Sequence, residues 1–298
     1  MDILWFLNGI RTPFWDSFFS IITRLGEETI LIVVFCLIFW CLNKRTGYIV
    51  GISFFFSALL VQGLKIIFRV PRPWVYDPDF IPVHGAITEA TGYAFPSGHT
   101  QNAAAWLGAL GANIKPKIWK FICFLLAILV GFSRMYLGVH YLSDVFVSLI
   151  ISFVVIYFVW KILPAEFTNK KQELVLPAII TIIAAVVVII ITYLYQNNIT
   201  EFRQLRDAAI AAGAAFGFAL GMYVERVYIQ FSVKAKNIPL QVLKFVLGMV
   251  GVIAFQEGFR ILGSGLIATG ARYFLIVMWV LIIYPLIIKQ FFNKTLTS

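Results

Sequence analysis

Nine stretches of mostly apolar residues dominate this chain, near 28–43, 47–69, 98–114, 118–135, 141–161, 175–195, 207–229, 240–262 and 272–291. Each approaches the roughly 20 residues a helix needs to cross a bilayer. Backbone polar groups in hydrocarbon must bond within their own segment, so an open sheet cannot sit there and the runs read as helices. The chain is 61% hydrophobic and 13% charged, where soluble domains hold about 45–50% and about 25%. It contains 29 Phe, 12 Tyr and 8 Trp, and its mean hydropathy is +0.90. A soluble protein of this size needs far more polar surface. Disorder, a coiled coil and a secreted disulfide scaffold are excluded on the same grounds. The expected class is all-α: a polytopic membrane bundle of about nine transmembrane helices, the third being the least hydrophobic.

The first 25 residues differ from the rest. Phe14, Phe18, Ile21, Ile22 and Leu25 recur at helical spacing, with Asp16, Ser17, Ser20 and Arg24 on other faces. This pattern predicts an N-terminal amphipathic helix, lying in the membrane interface or packed against the bundle. The opening residues lack a basic region and a small-residue cleavage site, so no cleaved leader is expected. Cys36, Cys41 and Cys123 all fall in apolar runs, which argues against a disulfide framework.

The formal charge is +10. Its distribution points to a membrane and not to nucleic acid, because Lys and Arg collect in short loops. Lys44 and Arg45 follow the first span, Lys115, Lys117 and Lys120 the third, and Lys161, Lys170 and Lys171 the fifth. Arg226, Lys234 and Lys236 follow the seventh, and Lys294 lies beyond the last. With these loops cytoplasmic, the C-terminus is inside and the N-terminus outside, in a multi-pass protein of the cell membrane. The longest outer connection, 70–96, carries five prolines, and a loop of that length in a compact bundle is usually functional or disordered. A polar stretch at 164–173 predicts a division into a core, 1–163, with five spans, and a four-span extension, 164–298. Gly213, Gly217 and Gly221 recur every four residues in the extension. Such a stripe admits a second helix at close range, from the same chain or across a homodimer.

Ionisable groups are costly in membranes, so those gathered at one depth point to function. On the outer side, Lys65 and Arg72 bracket the exit of the second span, and Pro96-Ser97-Gly98-His99 opens the third. Ser133-Arg134 ends the fourth, and His140 and Asp144 open the fifth. Cations, histidines and a helix N-terminus at a common depth describe an anion site, most naturally for phosphate. Taken singly, each residue has a duller role: Lys65 as a snorkelling lysine, Asp144 as a first-turn carboxylate, His99 as a cap. His84, Asp77, Asp79 and Glu89 in the outer loop read as solvated side chains. Glu257 and Arg260, one turn apart, are expected to pair.

The spacings K-x6-R-P at 65–73, P-S-G-H at 96–99 and S-R-x5-H-x3-D at 133–144 resemble the three-part signature of the type-2 phosphatidate phosphatase superfamily. This superfamily includes lipid phosphate phosphatases, undecaprenyl pyrophosphate phosphatases and vanadium haloperoxidases. Eleven fixed residues at about 5% each coincide by chance on the order of 10⁻¹⁴ per placement. The resemblance covers roughly 20–160. Two features lie outside it: only two spans precede the Arg72 loop where several relatives have three, and four spans follow the core.

The resemblance implies that His140 is a nucleophile forming a phosphohistidine and that Asp144 orients its ring. It makes His99 the acid that protonates the leaving lipid oxygen and then the base that activates water. Lys65, Arg72 and Arg134, with Ser97 and the N–H of Gly98, would bind the phosphoryl oxygens, with no metal and no cofactor. The chemistry is consistent: a neutral imidazole is a competent nucleophile near pH 7, and several fixed donors suit charge spread over three oxygens. The expected function is therefore an integral membrane phosphatase acting on a lipid phosphate or pyrophosphate at the extracytoplasmic face. Undecaprenyl pyrophosphate, phosphatidic acid and phosphatidylglycerophosphate all present suitable groups, and the 70–96 loop is expected to choose among them. The alternatives are a lipid-pyrophosphate-dependent phosphotransferase and a transporter of anionic lipid or phosphate.

Overall fold

The computed structural model of the protein describes residues 1–88, 90–163 and 170–292. Every regular element among them is helical. The chain groups into two compact units. The first comprises Met1–Ile32 and Ile52–Ile162, the second Val33–Gly51 and Leu163–Ser298.

The N-terminal amphipathic segment is two helices and not one. Helix α1 (Asp2–Gly9) ends before Arg11, and α2 (Pro13–Thr23) begins with Thr12 as its cap and Pro13 in its first turn. The Thr12 hydroxyl accepts from the Trp15 N–H, and a proline fits where its missing N–H costs nothing. Phe19 turns inward against Tyr136, with ring centroids 4.4 Å apart, while Phe14 and Ile21 stay exposed. A 3-10 turn, Arg24–Gly26, leads into α3 (Glu28–Leu37), and the chain bends by 52° at that break.

The long α4 (Lys44–Phe68) crosses next and runs into the short α5 (Pro73–Tyr76). Helices α6 (Gly98–Asn113), α7 (Lys117–Tyr136) and α8 (Leu142–Ile162) complete the first unit. One end of it is sealed by Leu4, Leu7, Phe19, Phe80, Tyr136, Leu137 and Val139, all buried together.

Among the described residues seven helices are long and apolar enough to span a membrane, or eight when the bent pair is counted as one span. The expected count of about nine is not confirmed. The run at 98–114 forms α6, which has only 16 residues, about 24 Å at 1.5 Å per residue against a hydrocarbon core of about 30 Å. Ten of those residues are buried, and Gln101 donates to the Ser57 hydroxyl at 2.8 Å inside the unit. Most of α6 meets protein and not lipid, so its composition escapes the demand for hydrophobicity. The run at 28–43 yields a helix of 10 residues continued by a 5-residue π turn. It reaches spanning length only when α2 is added across the bend.

The second unit contains α9 (Lys170–Gln196), α10 (Phe202–Val224), α11 (Ile238–Gly258), α12 (Leu266–Met278) and α13 (Tyr284–Ile287). The glycine stripe on α10 is filled from within the chain. A Cβ on Gly213 would meet the Gly270 backbone, one on Gly217 the Phe274 carbonyl and Val277, and one on Gly221 the Leu281 side chain. Of the two partners open to this stripe, the structure supplies a helix of the same chain. Lys44 pairs with Glu225 at 2.6 Å and Arg226 with Glu173 at 2.5 Å, and the Tyr48 hydroxyl donates to Glu225. Glu257 and Arg260 pair at 2.7 Å on the exposed end of α11.

Candidate active site

The first unit brings the sequence-selected residues to one end of α4, α6, α7 and α8. Lys65 lies on the last turns of α4, and Arg72 just precedes α5, whose first residue is Pro73. Both cations are buried, and both are held by one stretch of the 70–96 loop. The Lys65 ammonium donates to the Tyr93 carbonyl at 2.6 Å. The Arg72 guanidinium donates to the carbonyls of Thr91 at 2.5 Å and Gly92 at 3.1 Å. Three consecutive carbonyls thus fix two cations, which keeps the charges in place after their removal from water.

Arg72 also reaches the other side of the site. Its Nη1 lies 2.9 Å from the Val139 carbonyl and 2.7 Å from His140 Nε2. A guanidinium can only donate, so Nε2 is an acceptor there and Nδ1 carries the imidazole proton. Nδ1 faces Asp144 Oδ2 at 3.2 Å. The same carboxylate oxygen accepts from the Tyr141 N–H at 2.8 Å, and Oδ1 from the Ser143 hydroxyl at 3.3 Å. The carboxylate is therefore fixed before it orients the ring. The His140 and Asp144 side chains are 2% and 1% exposed.

His140 sits on a tight loop between α7 and α8. Gly138, two residues earlier, has φ of +80°, and a side chain there would collide with Arg11 and the Phe80 ring. Only glycine satisfies both the left-handed backbone and the close approach. Arg134, near the end of α7, is 1% exposed and donates to the Thr23 hydroxyl at 2.8 Å.

Ser97 caps α6: its hydroxyl accepts from the Thr100 N–H at 3.4 Å and the Thr100 hydroxyl at 2.9 Å. Its own N–H donates to the Asp144 carbonyl at 3.2 Å, tying the start of α6 to α8. Gly98 and His99 form the first turn of α6. Open space adjoins the Gly98 Cα, while Gly26 packs against the His99 backbone. Burial, followed by the nearby charges of Arg72, Arg134, Lys65 and His99, pushes the His140 imidazole well below its ordinary pKa. The three cations and His99 thus all bear on the His140 ring.

Such a cluster suits transfer of a dianionic group: a neutral imidazole with its proton turned away, a carboxylate behind it, and positive charge around it. Of the loop residues set aside in the sequence, His84 and Asp79 are exposed. Asp77 accepts from the Trp5 indole at 3.1 Å, and Glu89 lies outside the described residues. Sequence reasoning did not select the carbonyls of Thr91, Gly92 and Tyr93 or the side chain of Arg11. Gly138 carried a readable signal, as a glycine two residues before a histidine.

Residues 46–168 match the PAP2 superfamily, and residues 209–295 match the PAP2 superfamily phosphatase, transmembrane extension. The chain is 30% identical over 166 residues to the lipid A 4'-phosphatase of Porphyromonas gingivalis, covering 52% of this chain and 69% of that protein. It is 28% identical over 156 residues to phosphatidylglycerophosphatase B of Bacillus subtilis, covering 46% and 69%. Among solved structures, Aquifex aeolicus LpxE shares 28% identity over 54% of this chain and 93% of its own, with a TM-score of 0.48. The resemblance carried by the three motifs is borne out, and the chain belongs to the PAP2 superfamily of membrane phosphatases.

Proposed function

We propose that the protein hydrolyses a lipid phosphate ester at the extracytoplasmic face of the cell membrane through a phosphohistidine on His140. The observation that carries this reading is the orientation of His140, with Nδ1 on Asp144 and Nε2 on Arg72. That arrangement presents a lone pair at the point where cations gather.

In the first step the phosphate monoester displaces Arg72 from Nε2 and takes its oxygens to Arg72, Lys65 and Arg134, with Ser97 and the Gly98 N–H as further donors. Nε2 attacks phosphorus, the P–O bond to the lipid breaks, and the His99 imidazolium, charged once the bound dianion offsets the cations around it, gives its proton to the departing oxygen. Asp144 stabilises the positive charge that develops on the ring. In the second step His99 removes a proton from water, the resulting hydroxide attacks phosphorus, and the P–N bond breaks to release inorganic phosphate. None of these transfers calls on a metal.

The basic inner loops support the outward orientation of the site and the inward C-terminus. The motif residues fall within 1–163, which supports a phosphatase core there and a four-span extension over 164–298. Curated relatives carry the names of a lipid A 4'-phosphatase, a phosphatidylglycerophosphatase and two undecaprenyl-diphosphatases. These support a lipid-anchored phosphate or pyrophosphate as substrate.

The test is phosphate release from lipid A, phosphatidylglycerophosphate, phosphatidic acid and undecaprenyl pyrophosphate, with excess chelator, by wild type and by His140→Ala. Turnover by the wild type and none by the variant is expected. Undiminished turnover by His140→Ala would remove the mechanism.

A further inference from the structure

Residues before the matched family region hold the loop that carries His140. Arg11, between α1 and α2, donates from Nε and Nη2 to the Tyr136 carbonyl at 3.3 and 3.1 Å. Its Nη1 donates to the Ile81 carbonyl at 2.7 Å and to Asn8 Oδ1 at 2.5 Å. The guanidinium also stands 5.5 Å from the centroid of the Phe80 ring. One side chain therefore spans three segments: the N-terminal helices, the outer loop at 80–81, and the last residue of α7.

Beyond Tyr136 the loop is held residue by residue. The Leu137 carbonyl accepts from the Val83 N–H at 3.1 Å, the Val139 N–H donates to the Arg134 carbonyl at 3.1 Å, and the Val139 carbonyl accepts from Arg72. Gly138 is pressed against Arg11 itself. The Tyr136 ring is fixed in turn, its hydroxyl donating to Asp16 at 2.9 Å and accepting from the Thr12 N–H at 3.4 Å.

We propose that Arg11 is a positioning residue: it sets the Tyr136–His140 loop in register with the outer loop and so places His140 Nε2 for attack. This rests on the reading of His140 as nucleophile. The hydrogen bonds of Arg11 go to Tyr136, Ile81 and Asn8, on the loop that carries His140 and its supports, so its effect belongs to the chemical step. A forked guanidinium reaches the carbonyls of both Tyr136 and Ile81, which a single ammonium cannot do in the same way.

The test uses the full chain, purified in lipid nanodiscs, with phosphatidylglycerophosphate as substrate. Arg11→Gln is expected to lower kcat about 10- to 100-fold, the scale associated with a misplacement of about 1 Å. KM and the inhibition constant of inorganic phosphate should stay within about twofold, and the thermal midpoint, lowered by the lost bonds, should stay above the assay temperature. Arg11→Lys should recover only part of kcat. Wild-type kcat in a folded Arg11→Gln protein would overturn the proposal, and so would a loss confined to KM. If Arg11→Gln does not fold, Arg11→Lys decides: reduced kcat with unchanged KM supports positioning, and wild-type kcat overturns it. Full activity of His140→Ala would instead sink the underlying mechanism, so the two failures are distinct.

Discussion

Replacing Asp144 with Asn separates orientation from charge. The carboxylate oxygen that meets His140 also accepts from the Tyr141 N–H, and the amide oxygen of Asn can keep that second bond. What is lost is the negative charge beside a ring that becomes cationic as the N–P bond forms. Hydrogen bonds to charged groups contribute about 1.5–3 kcal/mol, and every 1.4 kcal/mol or so is tenfold in rate. Both side chains are sealed from solvent, so water does not compensate. Asp144→Asn should therefore lower kcat roughly 10- to 150-fold. KM should stay close to wild type, because the interaction strengthens only as charge develops in the transition state. Steady-state phosphate release with purified lipid phosphate reads both constants, and thermal unfolding checks the fold. Activity within twofold of wild type, or a loss seen only in KM, would refute the role given to the carboxylate.

Gly138→Ala should reduce both stability and turnover, since a left-handed backbone costs about 1–2 kcal/mol for an L residue and the new methyl meets Phe80 and Arg11. Gly85→Ala is its control, with φ of +83° but open space around it, and should cost only the backbone strain. Equal thermal shifts for the two would contradict the packing argument. The His140 imidazole should titrate below the usual pH 6.5 or so, because burial and the neighbouring cations oppose its charge. Nucleophilic capacity is then intact at neutral pH and lost as the pH falls through that lowered value. With three histidines in the chain, imidazole NMR can follow the site, and a midpoint above 7 would refute this electrostatic picture.

The spans that became α7, α8, α9 and α11 were legible because lipid-facing helices must carry an uninterrupted apolar surface. Helix α6 was less so: its buried face packs on protein, where Gln101 finds Ser57, and its length need not match the bilayer. The division between α1 and α2 was written in Thr12-Pro13, a cap followed by a first-turn proline, and the apolar periodicity from Phe14 to Ile22 belongs to α2 alone. At the site, motif spacing identified the side chains that the fold gathers. It did not show that backbone carbonyls at 91–93 anchor two of the cations, since carbonyls carry no residue-specific signature. The brace from Arg11 was equally silent, because a single arginine between short helices looks like any other interfacial cation.

The contact between Arg72 and His140 Nε2 gives the resting enzyme a built-in guard. With the atom proposed to attack occupied by a guanidinium, the imidazole stays sheathed toward any molecule that offers that cation nothing in exchange. Uncharged esters, abundant among surrounding lipids, lack the anionic oxygens needed to draw the guanidinium aside. Selection by charge would thus operate ahead of any fit of acyl chains or sugar, with the cargo itself unlocking the blade.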